Sequence, residues 1–162
     1  MMLATSSKRY LERKGIGFHI HPHSRNSSLS HVSEELAIPA SQIAVTKIVK
    51  SEKNSYLMLV YPLSHEIDYG RLNGMLRHRF QESTQTELSV RFEDVEPGAY
   101  PPLAQPYGLP CLVDRRLFEP SRIYFRAGKN CSLISLAADD FAYLMSDVSK
   151  AIISNPIESN TQ

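Results

Sequence analysis

Lys47 stands in the middle of IAVTKIVK, residues 43–50, where most other positions are apolar. A lysine in such a run must snorkel to water, pair with an acid, or face a cavity. Ile43, Val45 and Val49 are in phase with it, so the face it shares is the apolar one. Spacing alone leaves two readings open: an amine that serves a ligand, or one that reaches an edge or pairs with an acid such as Asp114. The second chemistry-bearing stretch is residues 96–117, EPGAYPPLAQPYGLPCLVDRRL, which holds five of the ten prolines and two of the seven glycines. Proline fixes φ and glycine permits φ > 0, so this loop has a restricted shape suited to presenting backbone N–H groups. An ordinary proline-rich connection is the plain alternative. A positive group on a strand beside a stiff Gly/Pro loop would suit an anionic or ester-containing small group.

Other chemistries are poorly supported. His19, His21 and His23 have a spacing that could ligate a metal, but Pro22 interrupts the strand and no Cys or carboxylate lies near, so an exposed edge strand is expected, with no metal. No G-x-S-x-G, Cys/His pattern, H-E-x-x-H or phosphate-cradling glycine loop is present. The basic group Arg71, Arg77, His78 and Arg79 reads as a solvated helix face rather than a phosphate contact.

The elements that must position these residues follow from hydrophobic period. Leu3, Tyr10 and Leu11 predict a helix that stops at Gly15. Residues 17–22 predict an edge strand, and Leu29, Val32, Leu36 and Ala37 a second helix. Residues 43–50 and 56–61 predict two central strands, covered on both faces and joined by the polar hairpin loop 51–54. Asp68 caps a helix to about residue 79, and residues 86–95 make another. After the loop, Cys111, Leu112 and Val113 form a buried strand. A hairpin of residues 122–126 and 131–136 comes next. A last helix then runs from Asp139 with Phe141, Leu144, Met145, Val148 and Ile152 on one stripe. This order predicts one α+β domain, a mixed central β-sheet with flanking helices over residues 1–154, followed by a polar tail, 155–162.

At 162 residues the chain suits one domain, and 42% hydrophobic with 22% charged content is globular. No apolar run approaches the ~20 residues of a membrane span. Charges occupy the place of a signal peptide's apolar region, and Cys111 and Cys131 sit in strand-like contexts suited to reduced, buried thiols. A cytoplasmic protein is expected. The net charge of +1 argues against coating duplex DNA, whose affinity rests on many phosphate contacts. It leaves room for a protein that handles the tip of a nucleic acid.

With these residues in view, the chain resembles the YbaK/prolyl-tRNA-synthetase-associated domain, the freestanding and inserted editing domains that deacylate mischarged tRNAs. The resemblance rests on VTKIV at 45–49, PGAYPPL at 97–103, LVDRRL at 112–117 and IYFRAG at 123–128, in that order. It implies the family lysine's role for Lys47 and the G-x-x-x-P loop for Gly98 and Pro102. It further implies an aminoacyl-tRNA 3′ end as partner, no cofactor, and substrate contacts at Ala99, Tyr100, Pro102, Asp114 and Asn130. On that basis Lys47 and Gly98 are the expected catalytic residues, the main-chain N–H groups of residues 98–100 the expected oxyanion donors, and Tyr100 a limit on side-chain size. Ala104 stands where many members of the family have Gly, Ile48 where some have a polar residue, and Asn130 where the bacterial subgroup that the wording of residues 91–108 resembles would have His. The departures at Ala104 and Asn130 motivate a second reading, a non-catalytic module that keeps the pocket for an aminoacyl group, nucleotide or protein partner. The sequence leaves the cognate amino acid and the oligomeric state undetermined.

Overall fold

Hydrophobic alternation builds the largest sheet. In the computed structural model, which describes residues 2–158, β2 (Ala44–Ser51) and β3 (Tyr56–Pro62) form an antiparallel hairpin, with Lys47 opposite Leu59. β6 (Cys111–Asp114) lies parallel to β3, β9 (Ser149–Ala151) parallel to β6, and β5 (Phe80–Glu82) antiparallel to β2. The order β5-β2-β3-β6-β9 is therefore a mixed sheet. Alternate residues divide between two cores. Ala44, Ile48, Met58, Val60 and Val113 pack one way, with Leu103, Phe92 and Phe125. Val49, Leu57, Leu59, Tyr61 and Leu112 pack the other way, with Ile67 and Leu72. Both faces are covered, as the near-continuous apolar strands required.

A second sheet, β1-β8-β7, is antiparallel and consists of β1 (His19–Pro22), β8 (Ser132–Ala137) and β7 (Arg122–Phe125). β1 is its edge, as expected. His21 is tilted against Tyr124 and its Nε2 lies 2.8 Å from Ser135 Oγ. Among the described residues no three potential metal ligands gather.

The helices are α1 (Thr5–Arg13), α2 (Leu29–Glu35), α3 (Tyr69–Leu76), α4 (Gln85–Arg91) and α5 (Ala138–Leu144). Asp68 caps α3 by accepting from the Arg71 N–H at 3.0 Å. Thr84 and Glu87 close a capping box at α4. No helix among the described residues is long and apolar enough to cross a membrane.

Four expectations change. The last helix ends at Leu144 instead of running to Ile152, because the Lys150 ammonium donates to the Met145 and Val148 carbonyls and the chain turns into β9. Ile152, expected on the buried stripe, is 41% exposed. Asn155 and Pro156, expected in the polar tail, lie in β10 (Ser154–Pro156) and pair with β4 (His65–Ile67). The rest of that tail from residue 159 lies outside the described residues. Finally, β2 is central only in part. β5 covers Val49–Ser51 alone, so Val45, Thr46 and Lys47 are half-buried.

Candidate functional site

The loop after α4 is pinned at its start by Glu96. The Glu96 carboxylate accepts from the Asn130 N–H at 2.7 Å and from Arg25 at 3.1 Å. These contacts, the Asn130 amide first, hold its carboxyl below the usual range against the opposing cost of desolvation. The backbone joins in: Glu96 N–H donates to Gly128 O, Gly128 N–H to Ala99 O, and Ala99 N–H to Glu96 O. The Asn130 side chain donates to Pro97 O at 3.0 Å. The close approach depends on Gly128, whose φ is +100°. A Cβ there would meet Ala4 Cβ at 2.4 Å and Ala4 backbone atoms at 3.2 and 3.3 Å.

This clamp presents Gly98 at φ +84°, with open space where a Cβ would stand. Among the described residues no hydrogen bond engages the N–H of Gly98 or Tyr100, whereas that of Ala99 is spent on the turn. Tyr100 is held edge-on against Phe92, ring centroids 5.1 Å apart.

Gly98 and Tyr100 border a cavity of about 340 Å³ together with Lys47, Thr46, Glu82 and Ser83. The cavity sits where β2 has no strand on its outer edge. That edge is taken by a bridge from Ile43 to Tyr124 at one end and by the Ser83 N–H to Ile48 O bond at the other. Alternation puts Lys47 and Glu82 on one face of the sheet and Thr46, Ile48 and Ser83 on the other. Both groups border one chamber because the edge between them is open. Lys47 Nζ lies 3.8 Å from Glu82 Oε2, an ion pair beyond hydrogen-bond length, with the Glu82 side chain 64% exposed. Burial, and then the Glu82 charge, push the nearby Tyr61 hydroxyl up to about 12. Thr46 Oγ1 and Ser83 Oγ are buried without a hydrogen-bond partner among the described residues.

The structure thus brings Lys47, Gly98 and Tyr100 together. Asn130 acts one step back, clasping the turn. Three expected substrate contacts lie elsewhere. Asp114 is fully buried and its carboxylate is occupied by the Arg116 N–H, the Ile153 N–H and the Ser154 hydroxyl, at 2.9, 3.1 and 2.6 Å. Such saturation leaves nothing for a ligand, nor for Lys47. Ala99 is wholly buried with both backbone groups engaged. Pro102 borders a separate, larger cavity of about 560 Å³ with Tyr10, Gln105, Leu109 and Leu144. There the Tyr10 hydroxyl donates to Gln105 at 2.8 Å, and burial pushes the Cys111 thiol up to about 12. The smaller cavity gathers the Lys47 amine, the unengaged Gly98 and Tyr100 N–H groups and the unpartnered Thr46 and Ser83 hydroxyls, so it is the candidate site.

Thr46, Glu82 and Ser83 were not singled out from the sequence. Thr46 had a signal, since a residue adjacent to Lys47 on a strand must address the opposite face. Residues 80–85 carry no period to mark β5.

A mixed sheet covered on both faces, with a Gly/Pro loop poised at the open edge of one strand, defines the architecture. The model of the aminoacyl-tRNA editing domain family matches residues 23–144, and the chain belongs to that family. Solved structures share the fold. The hypothetical protein APE2540 superposes with a TM-score of 0.81 at 16% identity, over 93% of this chain and 99% of that one. A proposed trans-editing enzyme for prolyl-tRNA synthetase gives 0.77 at 17%, over 94% and 99%. In a proposed signal transduction protein from Marinobacter aquaeolei VT8 the match gives 0.71 at 17%, over 91% of this chain but only 30% of that one.

Proposed function

We propose that this chain hydrolyses the ester bond of mischarged aminoacyl-tRNA, acting on the 3′ end as a separate trans-editing enzyme in the cytoplasm. The observation that carries the reading is that Lys47 and Gly98 border one cavity. An aminoacyl ester is already activated, so the site need supply orientation and charge stabilisation more than a nucleophile. The Gly98 and Tyr100 N–H groups are the candidate oxyanion donors, each good donor being worth about 2.7–4 kcal/mol. The Lys47 amine would hold the terminal nucleotide through its phosphate or sugar, or the attacking water. Its long pairing with an exposed Glu82 leaves it free to exchange partners. The substrate's neighbouring ribose hydroxyl is placed by its own chemistry to help activate that water.

The test is deacylation of a panel of mischarged tRNAs by the wild type and by Lys47→Ala. Wild-type turnover that falls at least about 100-fold in the variant is expected. Equal, background-level rates for both remove the reading, and thermal stabilisation by the aminoacyl-tRNA without turnover would assign a binding module instead.

A further inference from the structure

The cavity has an outer and an inner part. Lys47 and the largely exposed Glu82 stand at its rim. Inside lie Ile48 and Leu88, 1% and 5% exposed, with Ser83 at 8%. The ladder between β2 and β5 pairs Val49 with Glu82 and continues through the Ser83 N–H to Ile48 O bond at 3.0 Å. Ser83 therefore stands opposite Ile48, and Thr46 is two residues along β2 on the same face. Diagonal neighbours of this kind have Cα atoms roughly 7–8 Å apart, room for one small group between the two side chains. Thr46 Oγ1 and Ser83 Oγ are both buried and without a partner among the described residues. A buried hydroxyl left without a partner is costly, and most in folded proteins find one.

Resting on the deacylase reading, we infer that Thr46 and Ser83 form the side-chain subsite and select an aminoacyl group with a short hydroxyl-bearing side chain. Each protein hydroxyl brings one donor and two acceptor lone pairs. A substrate hydroxyl accepts from one and donates to the other, while Ile48 and Leu88 pack its carbon atoms. A methyl side chain fits the same space and leaves both protein hydroxyls unpaired. An ammonium cannot accept from them. A carboxylate would be desolvated against Ile48 and Leu88 with no buried cation beside it. Sites built to hydrogen-bond a substrate hydroxyl reject the analogue lacking it far more strongly than apolar pockets separate a methylene.

The test uses one tRNA body charged in turn with serine, alanine, threonine and valine, so that contacts to the nucleic acid cancel. Wild type is expected to favour seryl over alanyl and threonyl over valyl ester by at least about tenfold in kcat/KM. In Thr46→Val and Ser83→Ala each ratio should fall toward one. Thermal unfolding of both variants accompanies the kinetics, and because each ratio is internal to one protein, partial loss of folded enzyme does not alter it. Wild-type ratios below one, or ratios unchanged within twofold in both variants, overturn the inference while leaving the deacylase reading intact. Absence of turnover with all four esters and across the wider panel overturns both.

Discussion

Two lysines three residues apart on β2 have opposite fates. Lys50 donates to Glu87 Oε2, the same oxygen that receives the Tyr56 hydroxyl at 2.7 Å. Glu87 also accepts from the Thr84 N–H and hydroxyl at 3.1 and 3.0 Å, so strand pairing and the start of α4 are tied to one carboxylate. Lys47 has the long ion pair with the exposed Glu82 and lies 6.0 Å from the Tyr61 ring centroid, with no hydrogen bond among the described residues. β5 accounts for much of the difference, since it covers the strand at Lys50 and stops short of Lys47. Where the sheet is complete the cation is consumed in holding the fold. Where the edge is open the cation is left for something else, and beside it lie two hydroxyls and two backbone N–H groups without a partner among the described residues.

Asp114 marks the saturated extreme, and the largest stability effect belongs there. Asp114→Ala strips the partner from the Ile153 N–H and the Ser154 hydroxyl and leaves Arg116 with the Ser154 carbonyl but without its carboxylate. A loss of about 3–5 kcal/mol is expected in chemical denaturation. A change within error would mean that the network is dispensable and that saturation does not distinguish structural from functional groups. Lys47→Ala should do the reverse. Exposed ion pairs are worth about 0–1 kcal/mol, so its unfolding midpoint should hardly move while deacylation falls at least about 100-fold. Lys50→Ala, by contrast, should lower the midpoint more than Lys47→Ala. If the two lysines exchanged these behaviours, the distinction drawn from β5 would fail.

The hairpin of β2 and β3, the α3 cap at Asp68 and the edge position of β1 were legible because each has a local cause, in alternation, a side-chain acceptor or an interrupting proline. The aminoacyl-tRNA editing family was legible from four short motifs in order. What escaped was set by distant partners. β5 is three residues long, two of them polar, and is defined by pairing with Lys50. The apolar stripe from Phe141 looked continuous, yet Lys150 reaches back to the helix end and the chain becomes β9. Asp114 resembled a ligand-facing acid because its partners Ile153 and Ser154 lie about forty positions away. Pairing of Lys47 with Glu82 rather than Asp114 depends on the same unmarked strand.

The Lys50 network also predicts a pH dependence. Hydrogen bonds from Lys50, Tyr56 and Thr84 lower the Glu87 carboxyl from 4.5 to about 2. A depressed folded-state value means that this stabilisation is fully present above about pH 4.5 and is lost as pH falls toward 2. Glu87→Gln should therefore be less stable than wild type at neutral pH, and the gap should close through that acid window. Urea titrations at a series of pH values measure it. A gap that stays constant from neutral pH to 2 would separate Glu87 from the acid transition and weaken the contrast with Lys47.

The smallest effect is expected at Glu82. On the proposed reading its carboxylate competes with a substrate phosphate for the Lys47 amine and adds a negative charge at the mouth of a site that would receive a polyanion. Glu82→Gln removes both while leaving the open edge of β2 in place. The expected result is a KM for mischarged tRNA lowered about two- to threefold with kcat unchanged, an advantage that shrinks as added salt screens the mouth. Tyr61, raised partly by the Glu82 charge, should titrate closer to its ordinary value in the variant, which absorbance at alkaline pH can follow. A tenfold or larger fall in kcat would instead make Glu82 a participant in the chemistry. The Lys47–Glu82 pair would then be a working unit like Lys50–Glu87, and the difference between the two lysines would lie in what each pair does.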